Sequence, residues 1–293
     1  MRLENLKPNW GLIVQDTDID QILDLGPDFW RKYAYEKDLI LFRGLGDIGK
    51  ENFYRLMSYF GRPLNDKEYF DNGEATIKFS INDVPCCFGH FNNLNSYGRL
   101  GGSSLPWHAD HAHYGDRSFP WRSLYIRKNP NSKYGLTGFM NLRLDNICPT
   151  DQELDYYKRI DVLNVGWCKV GNNPVKNSYI KVHPLTGKLS LRSNHFRVDT
   201  PAYIDKTYLD GVEVDNLETL GPIHKKLSER EDLTYYHQWQ DHDLLIYDNY
   251  HFLHNRTDLH LSPGQIREFF RANVAHLSDQ AWIDHKNFIK ELF

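Results

Sequence analysis

Apolar positions along this chain fall in short runs and alternations, broken by Gly, Pro, Asn and Asp; few stretches carry helical spacing. Residues 38–44 (Asp-Leu-Ile-Leu-Phe-Arg-Gly) read as a buried strand closed by a glycine turn. Over residues 50–60, Phe53, Leu56, Met57 and Phe60 recur at helical spacing, and Gly61 and Pro63 stop the helix. Residues 82–106 are rich in Asn, Gly and Ser and read as a loop. Strands are predicted over 121–127, 137–142, 234–239, 243–248 and 268–274. Helices are predicted over 153–160 and 217–231. Between those helices, short alternating pieces such as Leu189-Ser190-Leu191-Arg192 run between Asn and Gly turns.

Many short strands with few helices predict a mainly β fold with flanking helices, a double-stranded β-helix or jelly roll of the cupin kind. No repeat or low-complexity linker divides the 293 residues. The expected organisation is a single domain, 1–293, with a loop-rich lid around 82–106 and an insertion around 145–235.

Composition narrows the partners. Net charge is -4 with no basic stripe, which argues against a nucleic-acid partner held by phosphate neutralisation. The four cysteines (Cys86, Cys87, Cys148, Cys168) form no Cys-x-x-Cys pair and read as reduced thiols. The start, Met-Arg-Leu-Glu-Asn-Leu-Lys-Pro, lacks the apolar core of a signal peptide, and no run approaches the ~18 residues of a membrane helix. A cytoplasmic protein with no membrane partner is expected; the sequence sets no oligomeric state.

The chemistry lies in a few polar positions. His108 and Asp110 form His-x-Asp; on a strand, side chains two apart point to one side, so an imidazole and a carboxylate can grip one ion. Alone, such a pair is more often a surface His beside a solvated Asp. Far downstream, an apolar run ends at Asp248-Asn249, His254 follows, and Arg267 and Arg271 sit on one side of a strand. Two histidines and a carboxylate with open positions make the facial triad of non-haem iron(II) oxygenases. The same set also suits a zinc-dependent hydrolase. A buried Arg beyond the triad would hold a dicarboxylate, for which zinc hydrolysis has no use.

In order along residues 38–275, four blocks resemble the taurine/clavaminate-type (TauD/TfdA-like) iron(II)/2-oxoglutarate dioxygenases. They are the 38–45 run with Phe60-Gly61-Arg62-Pro63; Trp107-His108-Ala109-Asp110; Gly135-Leu136-Thr137-Gly138-Phe139; and 243–249 through His254, with Arg267 and Arg271. The resemblance implies that His108, Asp110 and His254 bind Fe(II), and that 2-oxoglutarate and O2 are co-substrates. It implies that Arg271, ahead of Arg267, pairs with the distal carboxylate of 2-oxoglutarate, helped by Thr137. Succinate and CO2 would be co-products of oxidising an unactivated C–H, by hydroxylation, desaturation or oxidative cyclisation. Because Asp110 keeps the carboxylate that halogenases lack, halogenation is not expected. The chain departs from the family at His242, usually Gly, at Tyr250, usually Arg, and at Gly135-Leu136, usually a glycine pair.

For the primary substrate, a small amino-acid-derived metabolite of a biosynthetic pathway, the candidate contacts are Asn95, Ser104, Trp107 and Arg122, with Arg117 a further candidate for a carboxylate. His111, His113 and His251, near the motifs, read as loop or outer residues. A jelly-roll binding protein without activity is the remaining rival; it has no reason to keep all three triad members.

Overall fold

The computed structural model describes residues 1–63, 87–91, 104–110, 112, 120–166, 175–194, 202–262 and 265–275. The larger sheet has eight strands. Its path runs β1 (Arg2–Asn5), β2 (Leu12–Gln15), β3 (Leu39–Phe42), β16 (Leu244–Asp248), β7 (Trp121–Lys128), β18 (Arg267–Ala275) and β4 (Arg62–Pro63), with β5 (Cys87–Phe91) also on β18. All its pairings are antiparallel except β2 with β3. The smaller sheet orders β15 (Thr234–His237), β8 (Thr137–Asn141), β17 (Phe252–Arg256) and β6 (Leu105–His108).

Alternation along the strands sorts side chains into two faces of the larger sheet. Ile40, Phe42, Tyr125, Leu244, Ile246, Phe270 and Val274 face outward, onto helices α1 (Ile19–Asp24), α2 (Gly26–Lys37) and α3 (Gly49–Ser58). Leu39, Leu41, Ile126, Leu245, Tyr247 and Phe269 face inward and meet Phe139 and Phe252 of the smaller sheet. The Phe139 and Tyr247 rings meet edge to face, centroids 5.1 Å apart, which ties the two sheets together. This interleaved inner layer is the double-stranded jelly roll expected from the sequence.

The smaller sheet's other face packs on a second layer formed by residues 144–228. It holds the sheet β10 (Val175–Ser178), β9 (Ile160–Gly166), β13 (Ala202–Leu209) and β14 (Val212–Val214), the hairpin β11 (Ile180–Val182) with β12 (Leu189–Leu191), and helices at Asp151–Lys158 and Asn216–Ser228. Thr150 and Glu153 form a reciprocal capping box that starts the first of these helices.

Several expectations shift. The loop predicted over 82–106 includes β5 and the start of β6; both are held by cross-strand partners that local composition does not reveal. The lid assigned to that stretch falls mostly outside the described residues, as do Cys86, Cys168, His111, His113 and Arg117. The helix predicted over 153–160 ends at Lys158, and Ile160 begins a strand. His254, read as following a turn, lies within β17. Cys148 is a free, exposed thiol. Among the described residues no helix is long and apolar enough to cross a membrane.

Candidate metal and co-substrate site

Strand register builds the site in rows. On the inner face of the smaller sheet, His254 of β17 lies directly opposite His108 of β6 on one side and Phe139 of β8 on the other. Residues opposite each other in a ladder share a face, so the two imidazoles come together, ring centroids 4.2 Å apart. Asp110, just past the end of β6, completes the group. Its Oδ2 is 3.3 Å from His254 Nε2, and its Oδ1 is 3.9 Å from His108 Nε2. One ligand atom from each of the three residues lies within 4.8 Å of the others.

The donor set fits a metal ion. The Pro106 carbonyl, 2.7 Å from His108 Nδ1, accepts that proton and leaves the Nε2 lone pair directed at the shared centre. Burial alone would raise the Asp110 pKa, but the charges of Arg122, His254 and Arg271 outweigh it and hold the carboxyl well below its ordinary range. Asp110 is therefore anionic at any working pH, as a metal ligand must be. Arg122 Nη1 holds Asp110 Oδ2 at 2.5 Å, and Asn249 Nδ2 donates to the Asp110 carbonyl at 2.8 Å.

The larger sheet contributes the facing row. Tyr247 of β16, Arg122 of β7 and Asn273 of β18 are successive cross-strand partners on its inner face. Tyr247 stands 5.4 Å from the His254 ring; burial, and then the nearby Asp110 charge, push its phenol up, so it stays a neutral wall.

One step along the smaller sheet, ~7 Å from the histidine row, Thr137 is paired with Arg256 on one side and His237 on the other. Arg267 reaches the same end. It is 2% exposed, its Nη1 donates to the Gly135 carbonyl at 2.8 Å, and its Nε and Nη2 are buried without hydrogen-bond partners. Burial lowers its pKa to about 9, with the Arg256 charge adding to the effect, so it remains a cation at neutral pH. Gly135 sits at φ +63°, and a Cβ there would lie 2.6 Å from Arg267 Nη1. Glycine is thus required at this position both by backbone conformation and by the arginine's approach. The neighbour of Gly135 in the usual glycine pair, here Leu136, carries no such demand in this chain.

The remaining candidates separate. Arg271 lies on the same strand as Arg267 but toward Asp110, which feels its charge. Arg122, read as a substrate contact, is 1% exposed and sits on Asp110 instead. Trp107 is adjacent to His108 on β6, so alternation sends it to the opposite face; its ring packs on Tyr236 at 5.8 Å, away from the metal ligands. The Ser104 backbone N–H donates to Asp258 Oδ1, and its side chain is exposed. Asn95 lies outside the described residues. Sequence reasoning missed the contacts of Asn249, Tyr247, Arg256 and Trp239; strand register places Tyr247 and Arg256, and hydrogen bonds to Asp110 and Thr137 place Asn249 and Trp239.

A second group of potential ligand atoms, Asp38, Asp248 and His251, lies outside the site. His183 Nδ1 accepts the backbone N–H groups of Leu185 and Thr186, so its proton is on Nε2, 3.0 Å from Asp248 Oδ2. His251 Nδ1 stands between Asp38 Oδ1 (3.1 Å) and Asp248 Oδ2 (3.3 Å), while Arg143 holds the other Asp38 oxygen at 2.8 Å.

The chain is similar to known proteins. The family model "Taurine catabolism dioxygenase TauD, TfdA family" matches residues 2–273. The 3-((Z)-2-isocyanoethenyl)-1H-indole synthase of Fischerella ambigua is 32% identical over 119 residues, which are 39% of this chain and 42% of that protein. The chain thus matches less than half the length of this curated relative. Among solved structures, PvcB, an Fe, α-ketoglutarate-dependent oxygenase from an isonitrile synthetic pathway, superposes with TM-score 0.64 at 17% identity, covering 93% of this chain and 91% of that one. AAD-2 in complex with Mn(II) and N-oxalylglycine gives TM-score 0.62 at 16% identity, over 94% and 98%. A taurine dioxygenase from Burkholderia xenovorans gives 0.66 at 16%, over 94% and 90%.

Proposed function

Because this chain belongs to the TauD, TfdA family of iron(II)/2-oxoglutarate-dependent dioxygenases, we propose that it oxidises an unactivated C–H bond of a small amino-acid-derived metabolite in a biosynthetic pathway. The nearest chemical class is an isonitrile-bearing derivative of an aromatic amino acid. The substrate reading is supported by the indole-isonitrile synthase from Fischerella ambigua and by the isonitrile-pathway oxygenase PvcB. The observation that carries the site assignment is the pairing of two rows on one sheet face: His108, His254 and the adjoining Asp110, then Thr137 with Arg267 ~7 Å further on.

In this reading His108, Asp110 and His254 hold the iron on one face. Iron with 2-oxoglutarate and O2 supplies an oxidative decarboxylation, giving succinate and CO2, and the capacity to break a C–H bond. The protein's share is positional. The spacing of the rows suits a five-carbon dicarboxylate with its keto-acid end at the metal and its distal carboxylate at Thr137. Arg267 is the anchor we favour over Arg271, since its unpartnered guanidinium nitrogens are buried at the Thr137 end, whereas Arg271 lies toward Asp110. The apolar walls of Phe139, Tyr247 and Phe252 keep water from the reacting centre. A zinc hydrolase would leave this buried cation without a purpose.

The test is oxygen-dependent succinate formation with Fe(II) and 2-oxoglutarate, screened against aromatic amino acids and their isonitrile, N-alkyl and N-acyl derivatives. Stimulation by one isonitrile, lost in His108→Ala, is the expected result. No succinate with any compound, together with hydrolysis by the zinc-loaded protein, would sink the reading. Stimulation by a different class would retain the oxygenase and replace the substrate.

A further inference from the structure

The geometry points to Trp239 as a positioning residue that fixes the hydrogen-bond polarity of the co-substrate pocket, holding the Thr137 hydroxyl as a donor and supporting the Arg267 guanidinium from one side. This rests on the reading that Thr137 and Arg267 take the distal carboxylate of 2-oxoglutarate.

The indole Nε1 of Trp239 donates to Thr137 Oγ1 at 2.8 Å. An indole N–H can only donate, whereas a hydroxyl can donate and accept. With one lone pair committed to Trp239, the hydroxyl proton of Thr137 is left for another acceptor. A carboxylate is an acceptor only. Had a backbone carbonyl stood in the place of the indole, the hydroxyl would spend its single proton on it and turn lone pairs toward the incoming anion. The same ring faces Arg267, whose guanidinium carbon is 5.7 Å from the indole centroid. One side chain thus touches both groups assigned to the carboxylate.

Trp239 is itself held from several directions. It is 1% exposed. Asn129 Nδ2 donates to its carbonyl at 2.8 Å. The His237 ring stands against it edge to face, centroids 4.3 Å apart. His237 is fully buried, and burial lowers its pKa, so the ring is neutral. Its Nδ1 faces the Tyr235 hydroxyl at 2.8 Å and its Nε2 lies 3.1 Å from Asp243 Oδ2. Asp243 also accepts the Gln240 backbone N–H at 3.0 Å, which closes the turn carrying Trp239. The indole N–H is therefore aimed before any ligand arrives, as preorganisation requires.

The experiment is calorimetric binding of N-oxalylglycine, a non-reacting dicarboxylate of the same length, to the Mn(II)-loaded protein. Trp239→Phe keeps an aromatic ring and deletes the N–H; we expect binding about tenfold weaker. Thr137→Val should weaken it by a similar factor, and Thr137→Ser should restore it. If Trp239 acts through Thr137, the double variant Trp239→Phe/Thr137→Val binds no more weakly than Thr137→Val alone. Trp239→3-benzothienylalanine, which keeps the bicyclic shape without the N–H, gives the same result where the smaller ring does not fold. Wild-type affinity in both Trp239 variants, or losses that multiply to about a hundredfold in the double variant, would overturn the inference. Arg267→Met separates the two levels. If it too leaves N-oxalylglycine binding unchanged, the carboxylate-site reading fails; if it abolishes binding while the Trp239 variants do not, only the role of Trp239 fails.

Discussion

Among the described residues, two clusters of histidine and aspartate each bring potential metal ligands within 4.8 Å of one another. Their lone pairs distinguish them. At His108, Asp110 and His254, the Pro106 carbonyl takes the Nδ1 proton of His108, so its Nε2 offers a lone pair inward, and the three side chains keep 18%, 20% and 12% of their surface exposed. At Asp38, Asp248 and His251 the side chains are at most 2% exposed and the carboxylate oxygens are already engaged. His183 and His251 turn N–H groups toward Asp248, the Tyr250 backbone N–H bonds its Oδ1 at 2.7 Å, and Arg143 and Asn141 occupy Asp38. Proximity favours a metal only where ligand atoms are left over; where the carboxylate oxygens already accept N–H groups, the same residue types make a structural joint. This joint ties β3, β16 and the β11–β12 hairpin together behind the site.

Single substitutions break the comparison most directly. His108→Ala or His254→Ala is expected to abolish succinate formation, by at least about a thousandfold, and to remove Fe(II) binding measured on the purified protein. The melting temperature of the metal-free protein should hardly move. Asp248→Ala should do the reverse, because it strands two buried imidazoles. Losing one member of a buried charged network costs about 3–5 kcal/mol, which lowers the melting temperature by roughly 10 °C in a chain of this size, while Fe(II) affinity per folded molecule is retained. Loss of iron binding in Asp248→Ala, without loss of stability, would exchange the roles of the clusters.

The first cluster was legible in the sequence and the second was not. His108 and Asp110 stand out only in combination with His254 and the arginines downstream, because coordination chemistry restricts residue type and order. Strands β7, β8, β16 and β18 were legible too, from short apolar or alternating runs bounded by turns. The proposed anchor was harder to read. Arg267 and Arg271 have the same alternation, and only the approach of Arg267 to Gly135 separates them. Arg122 looked like a substrate contact because nothing local shows that Asn273 and Tyr247 flank it across the sheet, or that Asp110 returns to meet it. The 1–37 segment and β5 carry weak local patterns, and β2 and β5 form through partners further along the chain, β3 and β18.

Acid sharpens the contrast more gently. Burial pushes Asp248 up, but His251, His183 and the Tyr250 N–H outweigh it and leave its pKa at about 2, below the ordinary 3.8. A carboxyl whose pKa is depressed on folding contributes stability that is present above its unfolded value and lost as pH falls through its folded value. The contribution is roughly 2 kcal/mol, fully present at pH 5 and fading between about pH 4 and pH 2. Denaturant midpoints of the metal-free protein should fall over that window, and Asp248→Asn should flatten this part of the curve. A wild-type curve as flat as the variant's would show that the joint is not the source.

The smallest effect is expected where the chain departs from its family without touching either cluster. His242 occupies φ +67°, in the left-handed region that glycine adopts freely, and this explains the glycine usual at that position. Here the imidazole compensates: its Nδ1 is 3.0 Å from the Tyr125 hydroxyl, whose single proton goes to the Gly46 carbonyl at 2.7 Å, so the hydroxyl oxygen accepts from His242. His242→Gly relieves about 1 kcal/mol of backbone strain and removes a hydrogen bond worth about as much, so stability should stay within about 0.5 kcal/mol of wild type. His242→Ala keeps the strain and loses the bond, and should be less stable than His242→Gly by about 1 kcal/mol. Chemical denaturation of the two variants side by side decides it. If alanine proves as stable as glycine, the backbone at 242 is not strained, and the family's preference for glycine there has another cause.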